Sequence, residues 1–289
     1  MAACRTVPIL LAVPNKGRLM EPTIKLLELA GISLLASDER SIILPTSWPD
    51  LNIIRLRPED IPQIVAAGNV AAGITGHDYV VESGADVAEL LDLKIGRGSI
   101  VVAAAKGKWR SVEEMPDGIR VATKYINIAS AYFERKGKRV KIVKVSGSVE
   151  VMPMLGVADV IVDVMATGTT LALHGLEPIE KVLDTSARLV VSREHSDDYV
   201  VKKLVTYIKG YLDAQGKRMV FLNVPADKIA DVVSVLPAME SPSIARLARG
   251  DMYEVFSVID EDQLPDLIMK LKSAGAKDVT IVQLDKLIK

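Results

Sequence analysis

One stretch of this chain, residues 147–171, places a strand, a polar turn and a helix start in immediate succession. Residues 157–162 form an apolar, β-branched run, which is typical of a buried parallel strand. Asp163 closes that run, and a Thr-Gly-Thr-Thr turn follows at 167–170 before an apolar pattern resumes at 171–173. Free N–H groups at a helix start bind anions, and a carboxylate accepts hydrogen bonds from both hydroxyls of a sugar diol. The spacing therefore predicts a site for a phosphorylated sugar.

A capping turn is the alternative interpretation of 167–170, since Ser and Thr commonly cap helices without binding a ligand. A second acidic residue, Asp159, bears on this choice. It lies four residues before Asp163, and the alternation of a strand places both carboxylates on one face. Two carboxylates on a buried strand are costly without partners, so the pair favours a binding site.

Short apolar strands alternate with amphipathic helices in the first part of the chain. We predict strands at 9–13, 52–56 and 70–74, with helices at 21–30 and 58–67. This order predicts a parallel sheet covered by helices, in which functional loops follow the carboxyl ends of the strands. Three groups of polar residues fall at such ends: 15–18, Arg57 and 75–78.

A second α/β unit is predicted next. Its strands are at 99–105, 119–122 and 140–145, and its helices are at 129–136 and, more weakly because of Pro153, at 150–155. A strand at 189–192 and a helix at 199–212 return to the first unit. Two lobes that are connected twice enclose a cleft, and such clefts are preferred ligand sites.

The pattern changes near Lys217. The predicted order becomes βαββαβ, with strands at 219–224, 243–247, 253–259 and 278–284 and helices at 227–236 and 263–273. This is the order of a ferredoxin-like module. It has no cluster of His, Cys or paired carboxylates suited to catalysis, so we expect a binding or assembly domain. A plain dimerisation module is the alternative.

Composition limits the class of protein. The 289 residues carry a net charge of -1, with 49% hydrophobic and 25% charged residues, which is typical of a soluble globular protein. This balance argues against nucleic acid or a membrane as a partner. The apolar run 7–13 is too short to span a membrane, and it lacks the basic lead-in of a secretion signal. Cys4 is the one cysteine, so an internal disulfide is impossible and a reducing, cytoplasmic location is expected.

Several motifs together resemble one enzyme family. The segment 163–170 is similar to the phosphoribosyl-pyrophosphate loop of phosphoribosyltransferases. Together with Gly-Ser-Val-Glu-Val at 147–151 and Pro-Asn-Lys-Gly-Arg-Leu at 14–19, it resembles the ATP phosphoribosyltransferase family. Arg-Pro-Glu-Asp-Ile at 57–61 and Gly-Ile-Thr-Gly-His-Asp at 73–78 support this. Glu-Ser-Pro-Ser-Ile at 240–244 is similar to the long form of the family, which has an extra C-terminal domain.

The resemblance implies an α/β catalytic domain of two lobes, like a type II periplasmic binding protein, and a ferredoxin-like regulatory domain that binds histidine. The implied boundaries are 1–95 and 186–214 for lobe I, 96–185 for lobe II, and 217–289 for the regulatory domain. The implied reaction joins N1 of the ATP adenine to C1 of phosphoribosyl pyrophosphate and releases pyrophosphate, as the first step of histidine biosynthesis.

Further properties are implied by the same resemblance. Mg²⁺ accompanies pyrophosphate rather than being held by a protein cage, and histidine inhibits by feedback. The chain forms homo-oligomers, from dimer to hexamer, and needs no separate regulatory subunit.

The resemblance also implies roles for individual residues. Asp163 holds the ribose hydroxyls, the 5′-phosphate lies on Thr167, Gly168, Thr169 and Thr170, and Ala166 is a further substrate-binding position of the loop. Anionic substrate groups are neutralised by Lys16, Arg18 and Arg57, and the remaining active-site positions are Glu150, Gly76 and Tyr125, the last stacking on adenine. The histidine pocket is assigned to Asn223, Ser241 and Ser243, the last often Thr in the family.

Each of these roles has a plainer alternative. Lys16, Arg18 and Arg57 have the alternative of ordinary surface charge. For Glu150 the alternative is a solvated carboxylate at a helix start. For Tyr125 it is a partly buried structural tyrosine.

One departure from the family pattern concerns Val162, which precedes Asp163 where many phosphoribosyltransferase loops have a second acidic residue. The loop is therefore a functional analogue on a different fold. His77, His174 and His195 lack metal-ligand spacing and are predicted to be structural, although His77 could lie near the cleft. Two other functions stay open: a solute-binding or sensor protein without catalysis, and a phosphoribosyltransferase for another base.

Overall fold

The computed structural model describes residues 7–35, 41–237, 241–248 and 250–289. Cys4 and Glu240 lie outside the described residues. The chain divides into two compact units, Met1–Val205 and Thr206–Lys289.

The secondary structure alternates between strands and helices. The described strands are β1 (Ile9–Pro14), β2 (Ile43–Pro45), β3 (Leu51–Leu56), β4 (Ala72–Gly76), β5 (Ala88–Asp92), β6 (Gly98–Ala105), β7 (Ile119–Thr123), β8 (Val140–Lys144), β9 (Val160–Met165), β10 (Leu176–Thr185), β11 (Ala187–Val191), β12 (Lys217–Pro225), β13 (Ser243–Arg246), β14 (Met252–Asp260) and β15 (Lys277–Gln283). The described helices are α1 (Met20–Leu29), α2 (Ile61–Ala66), α3 (His77–Ser83), α4 (Ile126–Arg135), α5 (Thr169–Leu173), α6 (Tyr199–Ala214), α7 (Ile229–Val235) and α8 (Leu264–Ser273).

Lobe I is built on a mixed sheet with the strand order β2-β3-β1-β4-β11-β5. Strands β3, β1 and β4 are parallel, so their carboxyl ends lie at one edge, and the polar groups at 15–18, Arg57 and 75–78 follow them there. Helix α2 packs closely against β4. A Cβ atom at Gly73 of β4 would lie 2.5 Å from Ile61 Cγ2, so this strand requires glycine at that position.

Lobe II has a second mixed sheet with the order β10-β6-β9-β7-β8. Strands β9, β7 and β8 are parallel, and β6 and β10 are antiparallel to their neighbours. One face packs on α4 through buried side chains that include Phe133 and Tyr132. The other face packs on Val149 and on Leu171 of α5.

The chain crosses between these sheets twice. It leaves lobe I between β5 and β6 and returns between β10 and β11. The predicted fold class is confirmed, because the first unit contains two α/β lobes connected twice, as in type II periplasmic binding proteins.

The C-terminal module has the order β13-β14-β12-β15, with every neighbouring pair antiparallel. With helices α7 and α8 inserted in sequence, this is the ferredoxin-like βαββαβ topology. One sheet face carries Val220, Leu222 and Val255 and packs under both helices. The module therefore has a hydrophobic core of its own.

Several sequence predictions differ from the structure. Strand β9 runs from Val160 to Met165, so Asp163 lies within it rather than closing it. Residues 150–155 do not form an α-helix, and a 3-10 turn covers Val149–Val151 instead. Strand β10 was missed because Pro178 and alternating charges disguise an irregular strand at the edge of the sheet.

The second compact unit begins at Thr206, within α6, whereas the sequence placed the regulatory domain at 217–289. The end of the chain explains this difference. Leu287 N donates to the Gly210 carbonyl at 2.8 Å, so the C-terminal residues pack on the later half of α6.

In the part of the chain that the structure describes, no helix has the length and apolar character needed to cross a bilayer.

We expect Leu271→Ala in α8 to lower the free energy of unfolding by about 2–5 kcal/mol, because it opens a cavity in the core of the module. Met269→Ala on the same helix is the control, since Met269 is 69% exposed. Urea unfolding of both variants measures the difference. Equal losses would show that the module does not depend on this core.

Candidate active site

A fully buried carboxylate, Asp78, lies in the first turn of α3. Arg18 Nη2 donates to both of its oxygens, at 3.1 and 3.2 Å. Tyr125 Oη donates to Oδ2 at 2.6 Å, and Thr185 Oγ1 donates to Oδ1 at 2.7 Å. A buried charge is tolerated when it is both paired and hydrogen-bonded, and Asp78 meets both conditions.

The partners of Asp78 come from separate parts of the first unit. Arg18 follows β1 in lobe I, and its guanidinium also donates to the Gly96 carbonyl at the first crossover. Tyr125 follows β7 in lobe II, and Thr185 ends β10 at the second crossover. One carboxylate therefore joins both lobes and both crossovers.

Gly76 makes room for this carboxylate. A Cβ atom at position 76 would lie 2.1 Å from Asp78 Oδ1, a separation that real Cβ atoms do not show. The requirement for glycine here thus has a structural cause. The direct substrate contact implied for Gly76 stays a prediction.

Helix α3 makes a second connection to lobe II. Glu82 Oε1 accepts a hydrogen bond from Asn127 N, and Glu82 Oε2 accepts one from Ile128 N, both at 3.0 Å. These N–H groups belong to the first turn of α4, where a negative charge is stabilised by the helix dipole. The two lobes are therefore held together along α3.

A group of cations follows the parallel strands of lobe I. Lys16 Nζ lies 3.0 Å from Glu59 Oε1. Partial burial acts to raise the pKa of Glu59, but hydrogen bonds from backbone N–H and Lys16, together with the charges of Lys16 and Arg57, lower it below its ordinary value. Among the described residues, no carboxylate lies within ion-pair distance of Arg57, which is exposed. Arg57 is thus the predicted cation that is most available to a ligand.

Asp163 lies at the carboxyl end of the lobe II sheet and is mostly buried. Its Oδ1 accepts a hydrogen bond from Val164 N at 2.7 Å and lies 3.8 Å from Lys124 Nζ. Burial raises the pKa of Asp163 above its ordinary value, the charges of Glu150 and Asp78 add to that rise, and Lys124 opposes it. The structure thus brings the two predicted acidic residues, Asp163 and Glu150, into one electrostatic environment.

The turn beyond Asp163 has the geometry of an anion-binding loop. Gly168 is the N-cap of α5, with φ of 82°, a left-handed conformation that favours glycine. Thr167 Oγ1 and Thr169 Oγ1 lie 3.0 Å apart. Among the described residues, no acceptor bonds to the N–H groups of Thr169, Thr170 and Leu171, as expected for the first turn of a helix. Ala166, Thr167, Thr169 and Thr170 are all exposed, so a ligand can reach them.

Glu150 lies in the 3-10 turn after a strained residue. Ser148 has φ of 50°, in the left-handed region that non-glycine residues rarely adopt. Strain of this kind persists where the surroundings hold it in place, and it clusters near functional sites.

Two predictions about the cleft are corrected. Asp159 lies just before β9 rather than within it, and Arg120 binds its carboxylate at 2.9 and 3.0 Å, so this acid already has a partner and does not support a site at Asp163. That guanidinium holds the pKa of Asp159 at about 2. Tyr125 is fully buried, so its ring is not accessible for stacking on adenine, and burial followed by the charge of Asp78 raises the pKa of its hydroxyl.

The predicted structural role of two histidines matches their contacts. His77 Nδ1 lies 2.9 Å from Glu89 Oε1, and His195 Nδ1 lies 2.8 Å from Ser192 Oγ. The His77 side chain therefore contacts β5, the edge strand of the lobe I sheet.

The residues assigned to histidine binding lie in the C-terminal module. Asn223 on β12 and Ser243 on β13 fall on the sheet face that carries Phe221 and Phe256, opposite the helices. Asn223 Nδ2 donates to Asp278 Oδ2 at 3.2 Å. Ser241 precedes β13, and its hydroxyl has a long 3.5 Å contact with the Pro242 carbonyl.

Comparison with known proteins identifies the family. A family model described as ATP phosphoribosyltransferase matches residues 57–210, and one described as the HisG C-terminal domain matches residues 214–286. A relative from Pyrobaculum neutrophilum named ATP phosphoribosyltransferase is 64% identical over 281 residues, which cover 97% of this chain and 100% of the relative. This chain belongs to the ATP phosphoribosyltransferase family.

More distant members of the family agree. The ATP phosphoribosyltransferase of Ignicoccus hospitalis is 50% identical and covers 96% of this chain and 98% of its own length. A solved structure described as the ATP phosphoribosyl transferase (HisG:HisZ) complex from Thermotoga maritima has a TM-score of 0.61 and 28% identity, covering 69% of this chain and 96% of that chain. The protein is thus a transferase of histidine biosynthesis, in the pentosyltransferase class.

Sequence reasoning missed several residues of this transferase that position the site. The missed residues are Glu59, Asp78, Glu82, Lys124 and Thr185. Asp78 belongs to the polar group 75–78 that the sequence placed at the end of a strand, but no role was predicted for its carboxylate. Thr185 has no such pattern, since its partner is 107 residues away.

We expect Tyr125→Phe to lower the free energy of unfolding by about 1.5–3 kcal/mol, because it removes a hydrogen bond to a buried charge and keeps the ring. The control is Tyr199→Phe, whose side chain is 67% exposed and whose change should stay within about 0.5 kcal/mol. Thermal and urea unfolding report both values. If the two variants are equally stable, the hydroxyl of Tyr125 does not support Asp78.

Proposed function

We propose that this enzyme transfers the phosphoribosyl group of phosphoribosyl pyrophosphate to N1 of the adenine of ATP. N1 donates its electron pair to C1 of the ribose while the bond from C1 to the pyrophosphate oxygen breaks. Pyrophosphate leaves with that bonding pair. The observation that carries the proposal is the row of free N–H groups at Thr169, Thr170 and Leu171 directly beyond Asp163, in a chain of this family.

The loop at 166–170 is proposed to hold the donor. Its N–H groups and threonine hydroxyls suit the 5′-phosphate, and the Asp163 carboxylate suits the ribose hydroxyls. Asp163 Oδ1 already accepts from Val164 N, whereas Oδ2 has no donor among the described residues. An oxygen is therefore left for a sugar hydroxyl.

The cations of lobe I are proposed to neutralise the leaving pyrophosphate and the ATP triphosphate. Arg57 is the strongest candidate, since it has no close carboxylate partner among the described residues. Lys16 can exchange its exposed contact with Glu59 for a phosphate. Arg18 is largely committed to Asp78 and Gly96, so its charge acts mainly within that network.

No protein nucleophile is required for this reaction. Positioning, stabilisation of the leaving group and exclusion of water are sufficient, because the ribose carbon passes through an oxocarbenium-like state. Glu150, beside Asp163, is proposed to lie at the rim where positive charge develops on the ribose. A carboxylate there would stabilise that charge.

Mg²⁺ is proposed as a companion of pyrophosphate. Within the described ranges, no group of three or more His, Cys, Asp or Glu side chains is placed to hold a metal ion. Mg²⁺ commonly binds substrate phosphate oxygens and keeps several waters. A Mg²⁺ ion that arrives with the substrate would offset the negative charge of the leaving group.

The C-terminal module is proposed to bind histidine and so inhibit the enzyme. Supporting observations are the match of the HisG C-terminal domain model to residues 214–286 and the placement of Asn223 and Ser243 on one sheet face. We also propose homo-oligomers from dimer to hexamer, a cytoplasmic location and no separate regulatory subunit, as the long form of the family implies.

Incubation with ATP, phosphoribosyl pyrophosphate and Mg²⁺ should give an N1-substituted adenine, followed by its absorbance. We expect Asp163→Asn and Thr169→Val to lower kcat/KM by about 100-fold or more, a typical cost of losing positioned groups at a reacting substrate. Asp159→Asn is the matched control, since Arg120 binds that carboxylate outside the site. It should keep its turnover.

Two results would contradict these assignments. Absence of product at any enzyme concentration removes the proposed reaction and leaves a binding protein or a transferase for another base. If the folded fraction of Asp163→Asn or of Thr169→Val turns over substrate normally, the substituted residue has a structural role instead.

Histidine should inhibit the parent enzyme, and Asn223→Ala should raise the inhibition constant by about tenfold, equivalent to the loss of one hydrogen bond of about 1.4 kcal/mol. Gln283→Ala on β15 is the control, because its register with Arg218 places it on the opposite sheet face. Inhibition curves at fixed substrate concentrations give both constants. An unchanged constant in Asn223→Ala would place histidine elsewhere.

A further inference from the structure

Lys124 lies beside Asp163 for a reason that is visible in the sheet. Strands β7 and β9 are parallel neighbours, with Thr123 opposite Val162. Lys124 directly follows the end of β7, and Asp163 directly follows Val162 in β9, so both lie at the same carboxyl edge of lobe II. Lys124 Nζ lies 3.8 Å from Asp163 Oδ1.

Two aromatic rings restrict where the ammonium group of Lys124 can go. Its Nζ lies 4.9 Å from the centre of the Tyr125 ring and 5.8 Å from that of Tyr79. The two rings pack together, with centres 5.9 Å apart. A cation over aromatic faces is attracted to them, so the rings hold the ammonium group near Asp163.

The charged groups around Asp163 are predominantly acidic. Glu150 approaches from the 3-10 turn and Asp78 from α3, and both carboxylates raise the pKa of Asp163. On the β6 side the opposing residue is Val101, which carries no charge. Arg18 is bonded to Asp78 and compensates that carboxylate. Lys124 is left as the cation that favours the ionised form of Asp163.

We propose that Lys124 is a positioning residue of the phosphoribosyl site, which keeps the Asp163 carboxylate ionised and its Oδ2 turned to the ribose hydroxyls. The proposal rests on the proposed function, because it assigns Asp163 to the sugar diol. Lys124 and Val164 N both engage Oδ1, and this fixes the carboxylate plane while Oδ2 stays free. A protonated Asp163 would lose charge-assisted acceptance of the hydroxyls.

The proposal predicts a pH effect with a definite sign. Ionised Asp163 is the active form, so the acidic limb of kcat/KM reports its pKa. Removing the positive charge of Lys124 takes away the largest influence that lowers the pKa of Asp163, so burial, Glu150 and Asp78 raise that pKa further against the hydrogen bond from Val164 N. The acidic limb of Lys124→Met should therefore move to higher pH by about one unit, with a smaller change on the high-pH plateau.

The experiment measures kcat/KM against pH for the parent enzyme and three variants. Lys124→Met should show the shift, and Lys124→Arg should restore the parent profile because it keeps the charge. Lys108→Met is the matched control, since Lys108 Nζ lies 4.2 Å from the Trp109 ring centre in the same lobe and does not contact Asp163. It should leave the profile unchanged.

A second measurement does not depend on turnover. NMR titration of the aspartate carboxyl carbons, with Asp163→Asn to assign the signal, gives the pKa of Asp163 directly in the ligand-free enzyme. The same upward shift is expected in Lys124→Met. If the parent enzyme makes no product, the proposed function fails, and this titration still tests the electrostatic coupling.

The proposal is overturned if the Asp163 signal titrates at the same pH in Lys124→Met as in the parent. It is also overturned if kcat/KM falls equally at all pH values, which would indicate a direct phosphate contact or a loss of fold. If Lys124→Met does not fold, Lys124→Gln replaces it in both measurements.

Discussion

The carboxylate of Asp78 is fully buried, and groups from both lobes of the first unit are arranged to satisfy it. Breaking a buried and paired charge typically costs about 3–5 kcal/mol, so its partners cannot drift independently. Arg18 brings the loop after β1, Tyr125 brings the end of β7, and Thr185 brings the second crossover. The relative position of the two lobes is thereby fixed at their junction.

The buried charge of Asp78 also affects Asp163, which precedes the loop at 166–170. Asp78 lies close enough to Asp163 to raise its pKa, and Lys124 lies between the aromatic rings and the same carboxylate. Arg18 of lobe I and the carboxylate that precedes the 166–170 loop of lobe II are therefore linked through Asp78. Such an arrangement suits a reaction that needs two anionic substrates held in register and no protein nucleophile.

The parts that the sequence predicted are those set by local patterns. Alternating apolar runs identified most strands of both lobes and the βαββαβ module, and the Gly-Thr turn identified the start of α5. The loop at 166–170 could be predicted from the sequence because its N–H groups, glycine and hydroxyls belong to consecutive residues.

The parts that the sequence missed depend on partners far away along the chain. Sequence reasoning grouped Asp159 with Asp163 because the local sequence shows neither where β9 begins nor that Asp159 pairs with Arg120, 39 residues earlier. Tyr125 was assigned to adenine because a tyrosine after a strand looks the same whether its hydroxyl faces a ligand or a buried carboxylate. Thr185 lies in an irregular edge strand whose hydrophobic pattern is broken.

The central claim is that the turn after Asp163 binds the phosphorylated ribose of the donor. A crystal structure with phosphoribosyl pyrophosphate and Mg²⁺ tests it most directly. We expect the 5′-phosphate to accept hydrogen bonds from Thr169 N and Thr170 N, with the ribose hydroxyls at Asp163. A donor bound elsewhere in the cleft, with the turn at 166–170 empty, would contradict this account.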